Sequence, residues 1–324
     1  MQAITYETFG TPKDVVYMTD CSLPEPASDA VRLRMRLSPV HNHDVLTISG
    51  EYGVKPALPA IPGSEAMGII DALGDQVQGL KVGDRVAVAG VQGTWAEYFT
   101  APATAVIPIP ETVSDETAAL LLAMPMSALM ALNDLALKPG EWLAINAANG
   151  MVGMTLAQLA AARGIPSIGL VRSTSAERAL QDRGFACVAR TDTLDWLAQV
   201  RSTVGDGRIA GAIDMLGGQG MGDLLRLVDV DATVLSFGSM ADATAQLDVA
   251  DLIYKETRIR GFWAMRQLQR ASAEQIRALQ QELLNGAANG DLTLAVAQVF
   301  PLHRAAEAMH AYFQDRDGKI LLSA

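Results

Sequence analysis

Cysteine is almost missing from this chain: Cys21 and Cys187 are the only two among 324 residues. They stand far apart and form neither a disulfide framework nor a CxxC metal cluster, so both are expected to be inert thiols. Basic residues are in deficit, 25 against 36 acidic ones, and the net charge of −11 argues against nucleic acid or an anionic membrane as the main partner. No apolar run approaches membrane-spanning length without a charge, proline or glycine. The start, MQAITYETFG, lacks the basic-then-apolar pattern of a secretory leader, and a cytoplasmic protein is expected. What the chain does have is a 50% hydrophobic and 19% charged composition, and length enough for two domains with proper cores.

From residue 3 to about 109, short strands alternate with Gly and Pro. Val31, Leu33, Met35 and Leu37 against Arg32, Arg34 and Arg36 mark a half-exposed strand. Near Ser114 the pattern changes. Ser114 can cap a helix whose first turn holds Asp115 and Glu116, and the segment stays apolar to Leu137 with Pro125 interrupting it. Strands are expected at 143–146, in a stretch ending at Leu170 and Val171, and at 186–189, 209–215, 232–237 and 258–262, with helical stretches such as 175–183 and 220–228 between them. This alternation predicts an α/β fold: a β-rich domain plus a doubly wound parallel (Rossmann) domain. SAEQ at 272–275 is a capping box opening a helix towards Gly286, and a helix near 302–314 and a strand at 319–323 close the chain. The expected division is 1–113 with 267–324 as the β-rich domain, and 114–266 as the nucleotide domain.

Residues 143–172, LAINAANGMVGMTLAQLAAARGIPSIGLVR, spell strand, glycine-bearing turn, helix and second strand in order. Gly150 lets the backbone approach a pyrophosphate, Gly153 lets the helix lie against the sheet, and free N–H groups at the helix start face the anion. NAD-specific sites carry an acidic residue at the end of the second strand, but Arg172 and Ser173 stand here. A guanidinium and a hydroxyl suit a 2′-phosphate, so the expected cofactor is NADPH.

With this order of domains, the chain resembles the medium-chain dehydrogenase/reductase superfamily over nearly its whole length. It is most similar to the zinc-free branch of quinone oxidoreductases and 2-enoyl thioester reductases. The resemblance is carried by GEYGVKPALPAIPGSEAMGII at 50–70, LKVGDRV at 80–86, GTWAEY at 93–98, INAANGMVG at 145–153 and LIYKETRIRGFW at 252–263. It implies a GroES-like catalytic domain beside the Rossmann domain. Zinc-dependent relatives place a Cys three residues before an Asp that matches Asp44, and a His in GHExxG. Those positions are His41 and Ser64 here, too few ligands for a catalytic zinc, so no metal is expected.

Without metal, the chemistry implied is hydride transfer from nicotinamide with a proton or hydrogen bond from a side chain. Tyr52 in GEYG matches the tyrosine assigned this role in enoyl thioester reductases; phenols stay protonated at neutral pH and can donate. His41 stands where the branch has Asn. With His43 it admits two readings: hydrogen bonding in the cleft wall, or proton handling, because histidine titrates near neutrality. Tyr52 and His41 are therefore the candidate catalytic residues, Tyr52 first.

By the same resemblance, Asn149, Gly150, Met151, Val152 and Gly153 form the pyrophosphate turn. Arg172, Ser173 and Thr174 form the adenosine-phosphate pocket, with Thr174 where relatives often show a second Arg. Phe237, Gly238, Ser239 and Met240, with Phe262, Trp263, Ala264 and Met265, line the nicotinamide half, and Lys319 reaches the cofactor. Met124 departs from the Asn that enoyl reductases carry near the nicotinamide. Trp95 and Trp196 are expected as core or surface anchors. The leading expectation is an NADPH-dependent reductase of 2-enoyl thioesters; a quinone or enone reductase and a non-enzymatic NADPH-binding protein are the alternatives. Relatives dimerise through edge strands of the nucleotide domains, which makes 232–237 and 258–262 the candidate edges of a homodimer.

Overall fold

The computed structural model describes residues 1–180 and 183–324. The chain divides into two compact units, Met1–Ala123 with Thr293–Ala324, and Met124–Leu292.

The first unit is built on a seven-stranded sheet. Its order is Val296–Pro301, Lys319–Ser323, Ala30–Pro39, Glu65–Leu73, Arg85–Ala89 and Val106–Pro108, with Tyr98–Pro102 also paired to Ala30–Pro39. The alternation in Ala30–Pro39 is real up to Met35: Val31, Leu33 and Met35 are buried, and Arg34 and Arg36 are exposed. It then fails, because the register shifts between Met35 and Leu37, and Leu37 is left only half-buried. Trp95 fills the core at 0% exposure and donates its Nε1–H to the Pro39 carbonyl at 3.3 Å. The C-terminal strand Lys319–Ser323 runs antiparallel to Ala30–Pro39, pairing Leu321 with Pro39, so the chain end lies beside the segment that leads into His41.

The second unit is a six-stranded parallel sheet in the order Cys187–Arg190, Ser167–Val171, Trp142–Asn146, Ile209–Asp214, Thr233–Ser236, Arg258–Gly261. Its inner strands Ser167–Val171 and Ile209–Asp214 are buried at every residue, as strands covered on both faces must be. Trp196 is 4% exposed in this core. Among the described residues no helix is long and apolar enough to cross a membrane.

Three expectations need correction. Residues 114–123 belong to the first unit, because the helix Asp115–Leu120 packs on the strands Ala30–Pro39 and Glu65–Leu73. Residues 267–292 belong to the second: the helix Ala273–Asn289 opens with the Ser272 and Gln275 capping box, and its Glu282 meets Arg163 at 2.7 Å. That helix also runs through Gly286 to Gly290, whose φ of 81° ends it. Finally, Thr233–Ser236 lies inside the sheet, flanked on both sides, so of the two proposed edges only Arg258–Gly261 is one. The expected helix 175–183 is present as Thr174–Leu180; Gln181 and Asp182 lie outside the described residues.

Candidate active site

In the first unit the helix Asn42–Ser49 sets the geometry. His41 is its N-cap residue and donates its backbone N–H to Asp44 Oδ2 at 3.0 Å; Gly50, at φ 77°, ends it, and Tyr52 follows half-buried. Opposite lies Glu65, the first residue of its strand, with 0% exposure. Glu65 Oε2 meets His41 Nε2 at 2.6 Å, and Oε1 accepts the backbone N–H groups of Leu122 and Ala123 at 2.7 and 2.8 Å. Three donors on one carboxylate offset the cost of burying it. Next to it, His43 Nε2 lies 2.6 Å from Ser64 Oγ, which donates to Asp44 Oδ1 at 2.7 Å. The His41 and His43 rings stack with centroids 5.0 Å apart, and the Tyr52 ring lies 5.9 Å from that of His43.

Burial governs the electrostatics. It holds His41 well below the ordinary imidazole value, with Lys319 and His43 adding to the effect. Burial also pushes Glu65 up to about 7 against the pull of the two backbone amides, and lowers Lys319 to about 8, helped by the nearby Arg316 charge. A neutral His41 donating from Nε2 to Glu65 satisfies this geometry, because His41 Nδ1 has no hydrogen-bond partner to stabilise a second proton. His41 is thus fully buried and engaged by Glu65. Ser64 and His41, at the positions of the zinc ligands of zinc-dependent relatives, are both engaged in hydrogen bonds to carboxylates.

Lys319, expected at the cofactor, belongs to the first unit. It is 9% exposed and acts electrostatically on both His41 and Glu65. Glu65 escaped the sequence reading, although an acidic residue opening an apolar strand in SEAMGII was a signal that it is buried and paired.

In the second unit the strand Trp142–Asn146 ends in a turn with Ala147 at φ 46°, and Asn149 and Gly150 are exposed ahead of the helix Met151–Ala162. A Cβ on Gly153 would come 2.6 Å from the Ala148 carbonyl oxygen, so only glycine lets the helix seat this close to the turn. Asn146 Nδ2 donates to Asp214 Oδ1 at 2.6 Å and its Oδ1 accepts from Met215 N–H at 2.7 Å, tying two strand ends together. Phe237 and Phe262 stack with centroids 5.6 Å apart and bring together the segments 237–240 and 262–265, where Met240, Trp263 and Met265 stay exposed.

Arg172 and Ser173 are exposed beyond Ser167–Val171, and Ser173 Oγ accepts the Ala176 N–H at 3.2 Å. One further cation joins them. Arg190, at the end of the neighbouring strand, donates to Thr174 Oγ1 at 2.6 Å and forms a fork with Asp192 at 3.0 and 3.2 Å. The guanidinium absent from position 174 in the sequence is supplied from position 190. An open helix start, a glycine that nothing larger can replace, the exposed Arg172 and the half-buried Arg190 fit a dinucleotide bearing an extra phosphate.

The comparisons with known proteins agree with this geometry. Residues 27–111 match the alcohol dehydrogenase GroES-like domain, and residues 152–281 match the zinc-binding dehydrogenase family. The mitochondrial enoyl-[acyl-carrier-protein] reductase of Homo sapiens is 31% identical over 320 residues, covering 96% of this chain and 85% of that protein. The quinone oxidoreductase of Sus scrofa is 28% identical over 326 residues, covering 99% and 97%. A mycobacterial protein solved in complex with NADPH superposes with a TM-score of 0.86 at 26% identity, over 100% of both chains. The fold and site are those of a medium-chain dehydrogenase/reductase. Within that superfamily the chain belongs to the zinc-free branch of quinone oxidoreductases and enoyl reductases, whose members are NADPH-dependent oxidoreductases.

The raised pKa of Glu65 has a signed consequence. An acid raised from the usual 4.5 to about 7 contributes stability below pH 4.5 that is lost as pH rises through 7. The wild type should therefore lose stability relative to Glu65→Gln between those pH values, read as the difference in melting temperature. A flat difference would show that the two backbone amides keep the carboxylate ionised throughout.

Proposed function

We propose that this protein reduces activated carbon–carbon double bonds with NADPH, its acceptor a 2-enoyl thioester such as enoyl-CoA or enoyl-ACP, without zinc. The observation that carries the reading is the half-buried Tyr52, set by the Gly50 turn against His43, whose own Nε2 is anchored on Ser64. Bound NADPH would supply the hydride. Tyr52 donates its O–H to the negative charge that develops on the acceptor, the helix start at 150–153 holds the pyrophosphate, and Arg172 with Arg190 faces the 2′-phosphate. A quinone or small enone is the second reading, favoured by Met124 in place of an amide and by the near-complete span of the quinone oxidoreductase relative. A cytoplasmic setting belongs to the same proposal, in keeping with two free thiols.

Turnover of crotonyl-CoA with NADPH, against a panel of quinones, tests the acceptor; turnover of quinones alone would select the second reading. Tyr52→Phe is expected to lower kcat for the thioester by about 10- to 100-fold with NADPH affinity unchanged, the signature of a contact made in the transition state. Full activity in that variant would reduce Tyr52 to a wall residue.

The phosphate pocket is tested by binding. Arg172→Asp should cut the preference for NADPH over NADH by about tenfold, a change of about 1.4 kcal/mol, and Arg190→Ala by a smaller factor in the same direction. Unchanged preference in both variants would place the discrimination elsewhere.

The homodimer is proposed through the edge strand Arg258–Gly261. In it, the N–H groups of Arg258 and Phe262 donate inward to Ala232 and Ser236, which leaves that of Ile259 facing out. Ile259 of this strand is exposed, as are Ile253 and Tyr254 of the helix Val249–Tyr254 that precedes it. Sedimentation should give twice the 34.3 kDa chain mass, and Ile259→Pro, which removes an outward donor, should give the monomer. A wild type that sediments as a monomer would end the proposal.

A further inference from the structure

The two histidines at the start of the helix Asn42–Ser49 are not equivalent. His41 is wholly buried against Glu65, whereas the His43 side chain keeps 25% of its exposure. The hydrogen bonds of His43 also define its protonation. Asp44, as a carboxylate, can only accept, so the Ser64 hydroxyl proton is committed to it, and the serine oxygen accepts from His43 Nε2–H. Neutral His43 therefore carries its proton on Nε2. Nδ1 has no hydrogen-bond partner among the described residues and is the atom that can take up and release a second proton. Because Asp44 also accepts the His41 backbone N–H, the relay Asp44–Ser64–His43 is held to the helix start and does not depend on a mobile side chain.

We infer that His43 is the proton store of this site and acts through Tyr52; the inference rests on the reading of Tyr52 as hydroxyl donor. Hydride addition leaves an electron pair on the acceptor. The Tyr52 O–H bond breaks as that pair takes the proton, and the phenolate then takes the Nδ1 proton of imidazolium His43, whose N–H bond breaks. Water returns a proton to Nδ1, and no group of the protein changes oxidation state. His43 suits this task where His41 does not. Its ring lies 5.9 Å from that of Tyr52, it reaches solvent, and its Nε2 stays fixed through the cycle. The titratable groups around it are His41 and Asp44 at the start of its own helix, Glu65 beside Ser64, Tyr52 on the following loop, and Lys319, which acts on His41 and Glu65 from the C-terminal strand.

His43→Ala is expected to lower kcat with crotonyl-CoA about 10- to 100-fold, within the reach of acid–base catalysis. NADPH binding, read by nicotinamide fluorescence, should be unchanged, and imidazole added to the buffer should restore much of the lost rate. His43→Gln keeps a donor for Ser64 but carries no titratable proton. It should show the same loss at an unchanged melting temperature and lose a limb of the kcat–pH profile that the wild type shows. Wild-type activity in either variant, or a loss in the alanine variant that imidazole does not reverse, would overturn the inference. If the wild type turns over quinones and not the thioester, the same variant ratios and imidazole rescue are read with a quinone, so the acceptor and the proton store fail or stand separately.

Discussion

Burial of the Glu65 carboxylate is the constraint around which the first unit is organised. A charge or a raised pKa at full burial is tolerated only with hydrogen bonds in place, and Glu65 draws three of them from two places distant in sequence: the His41 imidazole and the adjacent backbone amides of Leu122 and Ala123. The strand Glu65–Leu73, the start of the helix Asn42–Ser49 and the end of the Asp115–Leu120 segment are thereby pinned to one another. Lys319 arrives by a different route, through antiparallel pairing of the C-terminal strand with Ala30–Pro39, and its charge bears on the same pair. The placement of Asp44, Ser64 and His43 beside this cluster follows from that anchoring.

The second unit solves a different problem with the same economy of parts. Its parallel strands are buried on both faces, so chemistry is left to the strand ends and the loops beyond them, the usual place for a ligand in this architecture. Asn146 and Asp214 fasten two of those ends, Gly153 allows the closest approach of helix to turn, and Arg172 and Arg190 sit at the ends of adjacent strands. Parallel register places Arg190 opposite Val171, so a cation from one strand covers a position on the loop that leaves the other. The departures from the branch pattern fall in both units: His41 in the first, Met124 and Thr174 in the second.

Much of the architecture was legible in the residue order because it rests on local rules. The period of two in Ala30–Pro39, the capping box at Ser272, the strand–turn–helix of 143–172 and the strand at Lys319–Ser323 each declare themselves within a few residues. The readings that failed were those a local rule cannot settle. Leu37 follows the alternation in sequence, but a register shift turns it partly outward. Gly286 looked like a helix end, yet it is carried inside a helix that gains a better stop at Gly290. Which strand is an edge, and which unit the segments 114–123 and 267–292 join, depend on packing partners far away in the chain.

The site divides along the same line. Sequence alone determined the nucleotide turn and the Arg172 position, since each is a matter of residue type at a short spacing; the candidacy of Tyr52 came from the resemblance to enoyl thioester reductases. Tertiary structure alone decided that His41 is fully buried and that His43 is the accessible imidazole: the two rings stack 5.0 Å apart, and only the packing shows which of them lies inward. It alone revealed Glu65 on His41, Ser64 on His43 and Arg190 on Thr174, contacts spanning 24, 21 and 16 residues. A chain read in order shows which chemical groups it carries; which of them meet is decided by strands that pair and helices that pack across those intervals.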